Sequence, residues 1–165
     1  MKKSIIIIIT FFIGVLTVFS QNIEFTKDNF SNNKSELKEA KKNIEEADKY
    51  FKIGSQMYRY ALPLYLKAND FNPNNVLLNY NLGVCYLFSA YKQKAIAHLE
   101  KACLLNPMVG ENLHYYLGRA YHLNMQWDRA IKEYQIGREN TKPDDKETLT
   151  DIDKKITECK YGMEL

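Results

Sequence analysis

The sequence predicts an all-α fold, a solenoid of three helix–turn–helix units closed by one further helix. The first observation behind this is a repeat. Ala61, Tyr65, Ala68 and Pro73 lie 34 positions before Ala95, Leu99, Ala102 and Pro107, and Leu117, Gly118 and Tyr121 lie 35 positions after Leu82, Gly83 and Tyr86. Ala130 follows Ala95 by the same 35, with Tyr134 in the place of Leu99 and Gly137 in that of Ala102. The second observation is helical periodicity, as in Leu37, Ala40, Ile44, Ala47 and Phe51, which recur at three- and four-residue steps. The third is composition: 45% hydrophobic and 26% charged residues exclude a chain disordered throughout. Small residues such as Gly83, Ala95 and Ala102 let a neighbouring helix approach closely. A pair of this kind cannot cover its own apolar faces and must stack on its copies.

Taken in order, the chain opens with Lys2 and Lys3, an apolar run Ile5–Phe19, and Ser20 before a polar segment. A charged start, a short apolar core and a small exit residue describe a secretory signal peptide over residues 1–20. The run is shorter than the roughly 20 apolar residues of a membrane anchor and contains Thr10, Gly14 and Thr17. Cleavage after Ser20 is therefore expected over anchorage. No cysteine lies near the exit, so a lipid anchor through a modified N-terminal cysteine is not expected. Residues 21–34 are rich in Asn without a helical period and predict an extended or mobile leader. Asn29-Phe30-Ser31 matches a glycosylation sequon, a pattern common by chance.

The repeat domain is expected over residues 35–160, with units at about 42–75, 76–109 and 111–144. Ser35 is expected to cap the first helix. Tyr50 and Ala61 are 11 apart, against 9 for Tyr86–Ala95 and Tyr121–Ala130, so the first turn carries two extra residues around Gly54-Ser55-Gln56. The second helix, about Tyr58–Phe71, contains Pro63 and is expected to bend near Tyr60 or to start close to it. The central pair is expected over about Val76–Ser89 and Lys92–Leu105, the third over about Glu111–Met125 and Trp127–Asn140. Gly110 is the extra residue that changes the spacing from 34 to 35, and it falls in a turn, where an insertion is tolerated. A last helix at about 146–160 carries Leu149, Ile152, Ile156 and Cys159 on one stripe and charge elsewhere. Such a helix ends a solenoid without exposing its last interface. Residues 161–165 read as a tail.

The chemistry-bearing residues argue against an enzyme. No phosphate loop, dinucleotide fingerprint, zinc-protease motif or nucleophile elbow is present. The three histidines, His98, His114 and His122, are too dispersed to form a base–nucleophile set or a metal site, and His98 is expected to face out. Asp144, Asp145, Asp151 and Asp153 lack the glycine-centred spacing of a calcium loop. Cys85, Cys103 and Cys159 read as small buried hydrophobes. A Cys85–Cys103 bridge fits the antiparallel helices of one unit, although spacing alone does not establish it. No cofactor, metal or small-molecule substrate is expected. Removing residues 1–20 removes two lysines and no acid, leaving 21 basic against 20 acidic side chains. A nearly neutral chain lacks the concentrated basic face of a nucleic-acid binder.

The pattern Leu82-Gly83-x-x-Tyr86, then Ala95-x-x-x-Leu99-x-x-Ala102, then Pro107, with its copies over Ala47 to Pro143, resembles the tetratricopeptide (TPR) repeat. The resemblance implies a right-handed α-solenoid whose first helices line a concave groove for a protein or peptide. Carried over residue by residue, the groove takes Leu77, Tyr80, Asn81, Val84 and Leu87 from the central unit. The third unit gives Asn112, Tyr115, Arg119 and His122, and the first Ile44, Asp48 and Phe51. Rings beside amides and a guanidinium suit an extended or helical peptide. Tyr80 and Tyr115 have a second reading of equal weight, packing on the adjacent helix. Leu77 and Tyr116 stand where carboxylate-clamp TPRs have cations, so that mode is not implied.

A second resemblance rests on the leader ending at Ser20-Gln21, the three-unit block and Cys159-x-x-Gly162-Met163. Together these are similar to the N-terminal region of exported Bacteroidetes-type envelope proteins that also carry a β-propeller and an OmpA-like domain. It implies a partner in the cell envelope, at the periplasm or the periplasmic face of the outer membrane, with only indirect contact to a membrane. The alternative is a structural spacer or self-association module of a larger envelope protein.

Overall fold

The computed structural model describes residues 21–110 and 112–164. The signal-peptide reading of residues 1–20 lies outside them. Among the described residues there are seven α-helices and no strand. They are α1 (Lys34–Ile53), α2 (Tyr58–Phe71), α3 (Val76–Leu87), α4 (Lys94–Leu105), α5 (Leu113–Leu123), α6 (Trp127–Asn140) and α7 (Lys146–Glu164). The helices pack as pairs, α1 with α2, α3 with α4 and α5 with α6, and α7 lies on α6. Each pair also touches the next through α2–α3, α4–α5 and α3–α5.

Small residues set the approach inside each pair. The Cα of Gly83 lies against Leu99, and a Cβ there would sit on the Leu99 side chain. A Cβ on Gly118 would stand 2.7 Å from Cδ1 of Tyr134. At Gly137 the neighbour is backbone, the Tyr115 nitrogen 3.2 Å from where a Cβ would be. Gly137 stands where the other units have Ala68 and Ala102, and there the backbone of α5 leaves little room for a Cβ. Two core clusters result. One holds Ala40, Ala47, Ala61, Tyr65, Ala68, Leu78, Leu82 and Cys85. The other runs through Tyr86, Leu99, Leu113, Leu117, Tyr121, Tyr134, Ile152 and Cys159. Helix α3 feeds both, and all of its residues except Leu77 and Tyr80 are buried.

The expected Ser35 cap and the tail are corrected, whereas the first-turn insertion and the span Tyr58–Phe71 stand. Helix α1 begins one residue before Ser35; Asn33 occupies the cap with no side-chain bond to the first turn. The two extra residues form a 3-10 turn, Ser55–Met57, entered through Gly54 at φ 115°. Helix α2 then runs from Tyr58 through Pro63. The carbonyl that Pro63 cannot engage belongs to Arg59, and both residues are exposed, so water can satisfy it. The expected tail is helical to Glu164, because the helix closes over Trp127; a Cβ on Gly162 would stand 2.9 Å from the indole Cε2.

The leader, expected to be extended or mobile, is pinned. Ile23 N donates to Asn74 O at 2.8 Å, and Val76 N donates to Asn22 Oδ1 at 2.9 Å. The Ile23 carbonyl accepts from Asn72 Nδ2 at 2.8 Å and Asn75 Nδ2 at 3.1 Å. Phe25 and Phe30 cover Phe71. Asn75 also caps α3, its Oδ1 accepting from Leu78 N at 3.0 Å. Asn75→Ala therefore removes a cap and a leader clamp at once. It is expected to lower stability by about 1–2 kcal/mol and to open residues 21–33 to protease. Urea unfolding and limited proteolysis check both effects.

Candidate partner-binding face

The candidate face is built by α3 and α5, with α7 beside α5. On α3 the structure corrects the expected groove. Val84 is 1% exposed, Leu87 2% and Asn81 7%. Val84 and Leu87 follow Tyr80 at helical steps on the same stripe as Leu77, and with α2, α4 and α5 all packed against α3 the second half of that stripe is covered. Asn81 has an internal partner, its Nδ2 donating to Tyr65 Oη at 3.1 Å while that hydroxyl donates to Asp48 at 2.6 Å. Burial and the Asp48 carboxylate hold the Tyr65 phenol protonated. Leu77 is 55% exposed. Tyr80 is half-buried, edge-on to Tyr116 at 6.1 Å and packed over Gly110.

On α5 the four candidates stay on one side. Asn112 is exposed, and Tyr115, Arg119 and His122 are half-buried. Tyr115 Oη donates to Asp151 Oδ2 on α7 at 2.7 Å. Burial first, and this bond second, push its phenol up to about 12. The Arg119 guanidinium lies 5.9 Å from the Tyr115 ring centre and 5.2 Å from that of Phe88. Among the described residues no carboxylate forms an ion pair with Arg119. His122 sits edge-on to Trp127 and Tyr134, and burial lowers its pKa. The gap between α5 and α7 forms two recesses. One of about 300 Å³ is lined by Asn112, Tyr115, Tyr116, Glu147, Thr148 and Asp151. The other, about 240 Å³, is lined by Arg119, His122, Leu123, Tyr134, Lys155 and Glu158.

The first-unit candidates serve packing. Ile44 packs on the first core cluster, Asp48 accepts from Tyr65, and Phe51 stacks on Tyr58 at 4.8 Å. The sequence reading missed Phe88, 44% exposed beside Arg119. It also missed the α7 contribution, although Asp151, Lys155 and Glu158 recur at helical steps and thus share one face.

The remaining chemistry-bearing groups have structural partners. His98 does not face out: its Nδ1 lies 3.0 Å from Asn79 Oδ1 and its ring stacks on Tyr86 at 5.4 Å. His114 pairs with Glu133 at 2.7 Å. The three cysteines are free. Cys85 belongs to the first core cluster and Cys103 packs on the second, so the Cys85–Cys103 bridge is not formed. Burial pushes the thiols of Cys85 and Cys159 up to about 12 and 11, so neither is an activated nucleophile. Among the described residues no group of three or more His, Cys, Asp or Glu is placed to hold a metal ion. No helix there is long and apolar enough to cross a membrane.

His98 gives a pH dependence. Burial, and then the charges of Lys101 and Lys94, hold its pKa below the ordinary value. The unfolded chain therefore binds the proton more readily than the folded one, so stability is full above about pH 6.5 and falls as pH drops below it. His122 adds in the same direction. The carboxylates held low, Asp145, Asp153 and Glu158, act only at more acidic pH. Thermal unfolding from pH 8 to pH 5 is expected to show a decline beginning near 6.5 that is shallower in His98→Gln. Equal slopes in both would contradict the assignment.

The class defined by these observations is an all-α protein of stacked helix pairs with an aromatic face along α3 and α5. No family model matches the chain, and no curated protein matches it.

Proposed function

We propose that the chain is a TPR-type right-handed solenoid acting as a non-enzymatic protein-interaction module, exported into the bacterial cell envelope, where it presents the α3–α5 face to a peptide segment of a partner protein. One observation carries this reading. A continuous path of side chains, Phe88, Arg119, Tyr115, Tyr116 and Tyr80, crosses from one helix pair to the next. Rings contribute buried area at little entropic cost, and a guanidinium with no carboxylate partner among the described residues can donate to peptide carbonyls. The recesses beside Tyr115 and Arg119 would take side chains of the ligand. The export part rests on Lys2, Lys3 and the Ile5–Phe19 run.

The test is capture from envelope extract by the wild type and by Phe88→Ala/Arg119→Ala. These two side chains are preferable to Tyr80 and Tyr115, whose rings also hold helices together. Loss of specific captured proteins in the variant is expected. Equal capture by both would remove the face from consideration and favour the spacer reading, to which the burial of Asn81, Val84 and Leu87 already lends weight.

A further inference from the structure

Among the described residues eleven large apolar side chains are exposed, and eight of them lie on one edge. This is the edge where the first helix of each pair ends and the second begins, with the last turn of α7 beside it. Its tips are Ile53, Phe88, Tyr91, Leu123, Met125 and Tyr161. Contacts across the pairs bind this end together. Phe88 meets Tyr58 edge-on at 5.3 Å, and the Gly162 turn of α7 lies on Trp127. Met125 is the most telling tip. Its φ of 58° is the one positive value outside glycine among the described residues. It follows α5, at a helix end where glycine is the usual occupant. Its backbone closes the helix, with Met125 N donating to His122 O and Gln126 N to Tyr121 O, both at 3.0 Å, and its side chain is left 75% exposed.

Charge on the edge is one-sided. Lys52, Arg59, Lys92, Lys94 and Lys160 are exposed there, against Asp128 and Glu164. The opposite edge mixes Asp70, Asp144 and Asp145 with Lys142 and Lys146. Lys94 lies over the Tyr91 ring at 5.4 Å and Arg59 over that of Tyr60 at 4.8 Å.

We propose that this edge docks on an anionic bilayer, with the apolar tips entering the boundary between headgroups and acyl chains and the basic side chains meeting lipid phosphate. Aromatic, Met and Leu side chains ringed by cations have the composition of interfacial membrane contacts, and the long basic stems can lie along the apolar boundary. A second copy of the chain is a poor occupant, because edge-to-edge pairing would bring the two basic rims together. An acidic protein would match the charge, but protein hot spots seat large side chains in fitted pockets. These tips project singly from separate turns, which a bilayer accepts without a matching shape. The edge adjoins the α3–α5 face at Phe88 and Leu123, but its docking does not depend on the function proposed for that face, and the variants below leave both residues in place.

The chain has a single tryptophan, Trp127, and it lies on this edge. The full chain is mixed with phosphatidylethanolamine vesicles, with and without about 30% phosphatidylglycerol, carrying brominated acyl chains. Quenching of Trp127 that requires the anionic lipid is expected. Tyr91→Ser/Met125→Gly should weaken it about tenfold; the glycine relieves the backbone at residue 125, so a fold defect is not the cause. Lys92→Glu/Lys160→Glu should lower it as well. Vesicle-bound protein with unquenched Trp127 would mean that the Ile5–Phe19 run alone holds the chain, and would overturn the proposal. So would equal quenching in Tyr91→Ser/Met125→Gly, or no binding to any vesicle, the outcome if the edge serves an acidic protein.

Discussion

Gly83→Leu is expected to destabilise the protein by about 3 kcal/mol, near the upper end of overpacking costs. Gly83 is buried within α3, and Leu99 of α4 is fully buried against it. Even the first carbon of the new side chain would fall on the branch point of Leu99, and three more carbons follow it. Leu99 cannot swing aside cheaply, because Ala95, Ala102 and Leu117 belong to the same cluster and interiors are close-packed. The helices must therefore separate, which loosens the contact of α3 with both neighbours. The measurement is urea unfolding with the slope held as a check on two-state behaviour. An unchanged midpoint would mean that α3 and α4 do not meet through Gly83.

That expectation was already readable from the sequence, and the reason is physical. Whether two helices approach closely is decided by single small residues at fixed spacing, so Gly83, Ala95 and Ala102 announce the contact without knowledge of the rest. Trp127–Asn140 is the span that the spacing predicts for its helix, and the structure gives those limits to α6. Depth was less legible. Val84 and Leu87 are apolar whether they line a groove or fill a core, and which of the two they do depends on how closely helices from other units lean in. The leader was misread for a similar reason. Asn22 bonds Val76, 54 residues away, and no local pattern encodes a partner at that distance. The edge carrying Tyr91 and Met125 becomes visible only once three turns distant in sequence are set side by side.

Leu99→Ala is the second large effect, about 2–5 kcal/mol, since it removes a fully buried side chain and leaves a cavity that the surrounding helices fill only in part. Its greater value lies in combination with Gly83→Ala. In the wild-type background that change places a Cβ on the Leu99 branch point and is expected to destabilise. Alone in a helix, the same change is favourable by about 1 kcal/mol, because alanine loses less backbone entropy than glycine on folding. With Leu99 cut back to alanine the obstacle is gone and the cavity admits the new methyl. Gly83→Ala should therefore reverse sign between the two backgrounds, giving a coupling of about 1–3 kcal/mol in a double-mutant cycle. A general weakness of α3 would lower stability by the same amount in both. Only direct contact between these two positions makes one substitution harmful beside leucine and helpful beside alanine.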